Sequence, residues 1–460
     1  MNGILAYGTY IPSGRVQHAD IAATLGVKAG RGSRVVASFD EDTTTMGVAA
    51  ARAALHPCAG GESMDSLTAH GLFFATTSPA YADKTNATAQ HAALGLPADV
   101  FAADLAGSAR SAIAAFTGAR AVGGLAVLAD VRVGRPGSAD EVGGGDGAAA
   151  FLFGDAAEAI AVVVAESCVT SEFLDRWRTP GTVAGSQWEE RFGLDEYVPL
   201  IERVVADLGA DPDHVVVVSP NTGVIKRAAQ LVKGRLSTTS SPIGHAGTAD
   251  VGIALAAVLD TAEPHQTILV ISAADGCDGL LLRTTDRISE GRQPVSVADQ
   301  LADGTDVSYA TYLSWRGLLD REPPRRPEPD RAAAPPSARA RAWKFSFTGS
   351  RCSQCRLVHL PPGRVCKGCG AIDSMVPVAL SRIHGTVATY TVDRLAYSPA
   401  PPLVAAVVDF DGGGRYTLEV ADSSGEELRV GSRVALTFRR LNTTGGVHNY
   451  FWKARVVHSE

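Results

Sequence analysis

The sequence predicts an α/β protein with a small metal-bound module and an all-β module behind it. Three observations carry that expectation. From Met1 to Arg287, short Val, Ala and Leu runs alternate with helical patterns. Two Cys-x-x-Cys pairs, Cys352 with Cys355 and Cys366 with Cys369, stand close together. From Met375 to Val457, β-branched and aromatic residues alternate between Gly- and Pro-containing turns. At 460 residues the chain is too long for a single core. Its 45% hydrophobic and 20% charged content is that of a globular protein.

In the first region Gly71–Ala75, Leu125–Ala129, Ala149–Phe153, Ile160–Ala165, His214–Val218 and Gln266–Ile271 read as buried strands. Each is a continuous apolar run of strand length. Helices are expected at Thr45–Leu55, Asn86–Leu94, Ser108–Val122, Val198–Leu208 and Thr248–Leu259. Strands alternating with helices make a layered domain with a mixed or parallel sheet. Two halves of similar strand–helix order fit this pattern, although residue identity alone shows no repeat. The domain is expected over 1–290, with a helix and linker over 291–342. Within the latter, Val307–Leu319 reads as an amphipathic helix. Asp320–Arg341, rich in Pro, Arg and Ala, reads as an extended, solvated linker.

Residues 343–374 hold the cysteine pairs. Each pair offers two soft thiolates from one tight turn, so Cys352, Cys355, Cys366 and Cys369 suit one tetrahedral structural zinc. Four thiolates leave no open coordination position, so such a metal folds the module and does no chemistry. Disulfides are disfavoured because nothing else suggests secretion. No basic segment precedes a long apolar one at the N-terminus. No apolar run approaches the roughly 18 residues needed to cross a bilayer. A reducing, cytoplasmic setting is expected, with Cys58, Cys168 and Cys277 as core thiols.

Over 375–460, Gly385–Val392, Leu403–Asp409, Tyr416–Val420, Ser432–Phe438 and Tyr450–Val457 read as five strands of a small OB-type β-barrel. Such barrels often bind nucleic acid. Here the net charge of −7 argues against nucleic acid and anionic membrane as partners. A basic stripe with interleaved aromatics is also lacking.

Seven segments, by their order and spacing, carry a family resemblance. They are Asp40–Leu55 (DEDTTTMGVAAARAAL), Thr76–Gly95 (TTSPAYADKTNATAQHAALG), Ala129–Pro136 (ADVRVGRP) and Gly144–Gly154 (GGDGAAAFLFG). Phe173–Gly181 (FLDRWRTPG), Ser219–Val232 (SPNTGVIKRAAQLV) and Ser241–Asp260 (SPIGHAGTADVGIALAAVLD) complete the set. Together they resemble the thiolase superfamily, in particular archaeal-type hydroxymethylglutaryl-CoA synthase and ketoacyl-ACP synthase III. Trp343–Val457 resembles the rubredoxin-like zinc-ribbon/OB-fold family that accompanies acyl-CoA-handling thiolase-like enzymes. The resemblance implies a five-layer sandwich of two βαβ-type halves and an acyl-CoA or acyl-carrier thioester as substrate. It implies C–C bond formation or acyl transfer, and a homodimer. It leaves room for an acyl-carrier protein or a partner enzyme.

The family's chemistry uses a Cys nucleophile at a helix N-terminus, where the dipole and free N–H groups favour thiolate. It adds His or Asn groups around the thioester carbonyl and, in the synthase branch, a Glu acid/base. The present sequence departs from each station. The nucleophile segment, Ala103–Phe116 (ADLAGSARSAIAAF), has no Cys, and Ala109 or Asp104 falls at that place. The Glu station falls near Thr77, the His station at Val218 or Ser219, and the last Asn station at Gly244-His245.

His245, in an Ile-Gly-His-Ala-Gly turn before a helix, is the leading candidate, because an imidazole both donates and accepts protons. Asp104 suits a base or a helix cap. Ser108 and Ser111 flank the missing nucleophile, and act only with a base in reach. Arg110 can clamp a carboxylate or phosphate, or pair with Asp104. Ser219 and Asn221 can orient a carbonyl oxygen or simply form a turn. Thr77 falls on the substrate side, and Lys226 suits a CoA phosphate or a solvated helix face. Cys277, in ADGCDG, reads as a turn thiol, either reactive or buried. The Gly143–Gly147 run lacks a following Lys-Ser/Thr and reads as a close turn, not a phosphate loop. Two functions stand: an acyltransferase-type enzyme with a Cys-less catalytic set, and a catalytically silent scaffold holding acyl-CoA or a partner enzyme.

Overall fold

The computed structural model describes residues 3–28, 30–56 and 69–457; Cys58 lies outside the described residues. The chain divides into two compact units. The first is Met1–Ala37, Asp42–Thr88 and Pro97–Arg316; the second is Ser38–Glu41, Ala89–Leu96 and Gly317–Glu460.

In the first unit ten strands hydrogen-bond into one sheet. From edge to edge they are Ser237–Thr239, His214–Val218, Thr267–Ala273, Gly276–Thr284, Ala161–Thr170, Gly3–Tyr10, Gly147–Gly154, Leu125–Asp130, Gly71–Thr76 and Phe101–Ala106. The two halves repeat one pairing pattern. Gly71–Thr76 lies parallel between Phe101–Ala106 and Leu125–Asp130. His214–Val218 lies parallel between Ser237–Thr239 and Thr267–Ala273. An antiparallel strand follows each trio, Gly147–Gly154 in one half and Gly276–Thr284 in the other. Unbroken apolar runs suit strands covered on both faces. Leu125–Asp130 and His214–Val218 are accordingly buried at every position.

Helices Ser111–Val122 and Ala249–Leu259 pack together in the middle, and the second touches strands of both halves. Thr43–Ala54 covers one outer face, and Glu190–Leu208 with Thr222–Leu231 covers the other, completing five layers. Ala249–Leu259 is buried all round except at Ala257. A Cβ on Gly252 would meet Ala149 Cβ at 2.6 Å, so glycine is what lets this helix approach the sheet so closely.

Several expectations need correction. Cys277 lies inside strand Gly276–Thr284, not in a turn; its Gly-rich start resembles turn chemistry, but burial on both faces decides. Cys168 is exposed, because strand Ala161–Thr170 alternates and places it on the outer face. Residues 297–316 belong to the first unit. Tyr309 and Tyr312 of helix Tyr309–Trp315 bury there with Val16, Ile21 and Val36. The linker is exposed over 321–330, but Ala334–Arg339 forms a helix with Pro in its first turn, where a missing N–H costs nothing.

The second unit holds a three-stranded sheet of Thr348–Cys352, Val358–His359 and Met375–Ala379 beside the cysteine turns. Its five-stranded sheet runs Arg415–Glu419, Leu403–Phe410, Gly385–Asp393, Arg433–Thr444, Val447–Val456. Leu403–Phe410 alternates half-buried and buried residues, the period-2 pattern of a strand with one covered face. Trp452 is fully buried, and its indole N–H donates to Phe345 O at 2.7 Å. Two cations are buried near it. Arg439 pairs with Glu41 at 2.6 Å and Asp422 at 2.7 Å. Lys453 pairs with Asp40 at 2.9 Å and Glu419 at 2.8 Å. Burial alone would raise the Asp40 carboxyl, but Arg439 and Lys453 hold it below the usual carboxylate range. No helix of the described residues is long and apolar enough to cross a membrane.

Candidate active site

A cleft of about 110 Å³ opens in the first unit where parallel strands of both halves end. Strand ends of an open α/β sheet are where such crevices form. Thr77 follows Gly71–Thr76, Ser108 and Ala109 follow Phe101–Ala106, and Arg132 follows Leu125–Asp130. From the other half come Pro220, after His214–Val218, and Asp275, after Thr267–Ala273. His245 enters from the turn before Ala249–Leu259. The loop after Ala161–Thr170 adds Asp175 and Arg178, and helix Glu190–Leu208 adds Tyr197.

His245 is held by its neighbours. Its Nδ1 lies 2.6 Å from Asp250 Oδ2, and the same carboxylate accepts from Ala246 N. A carboxylate only accepts, so Nδ1 carries the hydrogen and Nε2 is left for the cleft. The Gly143–Gly147 run packs against this turn. His245 N donates to Gly143 O at 2.8 Å, and Gly145 N donates to His245 O at 3.2 Å. Asp130, fully buried, ties the Thr77 and His245 loops together. Its Oδ1 accepts from Thr77 N at 2.7 Å and Ser78 Oγ at 2.8 Å; its Oδ2 accepts from Thr248 N at 2.8 Å. Gly247, at φ +59°, admits that carboxylate; a Cβ there would sit 2.0 Å from Asp130 Oδ2.

Charged groups line the rest. Arg132 Nη1 donates to Thr77 Oγ1 at 3.0 Å, and Arg178 Nη2 donates to Thr77 O. Burial pulls the Arg132 guanidinium below its ordinary value. Arg176 is bidentate to Asp140, at 2.8 and 2.7 Å. Burial, and then the charge of Asp275, push the Asp175 carboxyl above its usual range. Tyr197 shares a hydrogen bond with Asp175 and accepts from Asp275 N at 3.1 Å; burial pushes its phenol up.

Of the residues singled out from sequence, His245, Thr77 and Ser108 meet in the cleft. Ser108 Oγ accepts from Arg110 N at 3.3 Å. The others do not line the cleft. Asp104 caps helix Ala87–Leu94, accepting from Asn86 N at 2.6 Å and Ala87 N at 2.7 Å. Arg110 grips Asp278, at 2.9 and 3.1 Å, where pairing with Asp104 was one expectation. Asn221 caps Thr222–Leu231, its Oδ1 accepting from Gly223 N at 3.0 Å. Ser219 is buried and accepts from Asn221 N at 3.2 Å. Ser111 opens helix Ser111–Val122, and Lys226 sits exposed on Thr222–Leu231. Cys277 is fully buried in the core, which pushes its thiol up to about 12. Arg132, Asp175, Arg178 and Tyr197 escaped sequence reasoning. Arg132, Asp175 and Arg178 were signalled only by membership of the resembling segments, and Tyr197 by nothing.

In the second unit the sulfurs of Cys352, Cys355, Cys366 and Cys369 all lie within 4.8 Å of one another. The closest separations are 3.4 Å for Cys355–Cys366 and 3.7 Å for Cys352–Cys369. Tetrahedral zinc with Zn–S near 2.3 Å sets sulfurs about 3.8 Å apart, so the donor set fits one such ion. Gly368 N donates to Cys366 Sγ at 3.4 Å, a contact that favours thiolate.

Five layers with a cleft at the strand ends of both halves define a thiolase-like protein. A hydroxymethylglutaryl-CoA synthase solved with CoA shares the fold with TM-score 0.57 at 15% identity, over 70% of this chain and 92% of that chain. A 3-oxoacyl-(acyl carrier protein) synthase III from Pseudomonas aeruginosa PAO1 does so with TM-score 0.52 at 19% identity, over 62% and 98%. Hydroxymethylglutaryl-CoA synthase of Archaeoglobus fulgidus is 31% identical over 344 residues, covering 69% of this chain and 98% of that protein. The Thermoplasma acidophilum enzyme is 30% identical over 350 residues, covering 69% and 97%. The chain belongs to the hydroxymethylglutaryl-CoA synthase family. Residues 377–439 match the family described as the ChsH2 C-terminal OB-fold domain.

Proposed function

We propose that the chain is an acyltransferase-type enzyme that acts on acyl-CoA or acyl-carrier thioesters, forming a C–C bond or moving an acyl group without a cysteine nucleophile. The placement of His245 carries this reading: its Nδ1 is committed to Asp250, and it lines the cleft together with Ser108 and Ala109. His245 Nε2 takes or returns the proton, or donates to the thioester oxygen. Asp175, whose carboxyl is raised by burial and then by Asp275, is a second titratable group in the cleft. Among the described residues no cysteine lines the cleft, so rate rests on positioning and electrostatics. Support for the thioester comes from the synthase relatives and from a neighbour solved with CoA. Support for a carrier protein comes from the curacin-pathway synthase solved with a holo donor carrier protein.

A silent scaffold is the second reading, supported by the resemblance, which sets Thr77 near the acid/base station and Ala109 or Asp104 at the nucleophile station, with Thr77 and Ala109 lining the cleft. Incubation with a panel of acyl-CoAs, following free thiol release, separates the two. The enzyme reading expects release that His245→Ala lowers by about 10²- to 10⁴-fold with the fold kept. CoA binding without turnover on any thioester would select the scaffold. The same reading includes one structural zinc on the four cysteines, a homodimer and a reducing cytoplasm for the free thiols.

A further inference from the structure

We propose that the acyl group taken by this cleft bears a free carboxylate, and that Arg132 and Arg178 bind it. The inference rests on the thioester reading and names its substrate class. Both side chains line the cleft, and both turn toward Thr77 through neutral acceptors, the hydroxyl and the carbonyl. Several other arginines of this unit are paired with carboxylates, Arg34 and Arg316 with Asp146, Arg110 with Asp278, Arg176 with Asp140, while buried Arg15 is held by four backbone carbonyls. Arg132 and Arg178 have no such partner among the described residues. Asp130 and Asp140 act on Arg132 only from a distance. Asp130 is committed to residues 76–78 and 248, and Asp140 to Arg176.

With threonine at position 77, no carboxylate among the described residues forms an ion pair with either guanidinium. A guanidinium with spare, aligned N–H groups matches a carboxylate in shape and charge. Its pull is strongest in a partly desolvated cleft, where Arg132 sits. Asp175 and Asp275 also line the cleft, but Asp175 shares a hydrogen bond with Tyr197, and neither carboxylate forms an ion pair with Arg132 or Arg178 among the described residues. A CoA phosphate is the other anion that fits two guanidiniums, and the test separates the two sources.

Calorimetric titration of the full-length protein uses CoA alone, then succinyl-CoA and glutaryl-CoA, each against the uncharged acyl-CoA of the same chain length. The carboxylated thioesters are expected to bind at least about tenfold tighter, the yield of one charge-assisted contact. Arg178→Gln, on an exposed side chain, should bring the pair within about twofold while leaving the uncharged acyl-CoA unchanged. Arg132→Gln should do the same. Equal binding of charged and uncharged acyl-CoAs by the wild type overturns the proposal and leaves the thioester reading standing. Equal weakening of all ligands, CoA included, also overturns it and assigns the arginines to a phosphate. If none of the ligands binds, the thioester reading falls and this one with it.

Discussion

Asp250 decides which nitrogen of His245 meets the cleft. Without its carboxylate on Nδ1 the ring loses both its tautomer and its orientation. Asp250→Asn should lower thioester turnover by about 10- to 100-fold, with acyl-CoA affinity kept and the pH profile displaced. An unchanged profile would remove the pair from the mechanism. Cys277 makes the opposite case. A fully buried thiol pushed up to about 12 is protonated at neutral pH, so Cys277→Ala should keep its turnover. Mass spectrometry of protein incubated with acyl-CoA should find no acyl group on Cys277; finding one there would contradict the assignment. These residues show what sequence could reveal. The Gly-His turn before a helix pointed to His245, which lines the cleft. Asp104 and Arg110 have equally apt chemistry, but their partners, Ala87 and Asp278, lie on other elements, while Asn221 caps its own turn at Gly223. No local spacing distinguishes a helix cap from a catalytic base.

At the scale of elements, the Gly143–Gly147 run lets the cleft close. A Cβ on Gly145 would meet Ile243 O at 2.1 Å, so the segment leading into strand Gly147–Gly154 can touch the His245 turn only through glycine. Asp146 sits inside that run and is fully buried. It accepts from Arg132 N at 2.8 Å and Ala37 N at 2.9 Å, and it pairs with Arg34 and Arg316. Asp146→Ala leaves these guanidiniums buried without a counter-charge, and the first unit should lose about 3–5 kcal/mol. Denaturant unfolding reads this directly; a loss under about 1 kcal/mol would show that water or a rearrangement replaces the carboxylate.

At the scale of the molecule, the second unit carries its own pH signature. The folded Asp40 carboxyl is held below the ordinary aspartate value of 3.8, so its stabilisation is complete above that value and is lost as pH falls through the folded one. Lys453 is shifted the other way. Burial would lower it, but Asp40 and Glu419 outweigh burial and raise it above 10.5. Its contribution is complete below that value and is lost as pH rises through the folded one. The second unit should therefore be steady across neutral pH and weaken in acid below about 4. In Lys453→Met the acid loss should begin at higher pH, because Asp40 keeps only Arg439. Thermal melts from pH 3 to 8 test this; an unmoved acid limb would assign the loss to other carboxylates. A chelator should release one zinc per chain and lower the melting temperature of the same unit, read by metal analysis and calorimetry. A melt unchanged after complete chelation would leave the cysteine set without a metal role.

By itself the sequence determined whatever depends on neighbours along the chain. Apolar runs of strand length, the alternation of Leu403–Phe410 and the paired Cys-x-x-Cys turns each express a local periodicity or spacing, so the layered domain, the β-barrel and the four-sulfur set were legible. Only the tertiary structure decided the site. The cleft gathers the ends of five strands from both halves, and the chain between Thr77 and Asp275 is joined there by packing and not by spacing. Whether a carboxylate caps a helix, cancels an arginine or faces a ligand depends on which distant group the fold sets beside it. That is why His245 could be named in advance while Arg132, Asp175, Arg178 and Tyr197 could not.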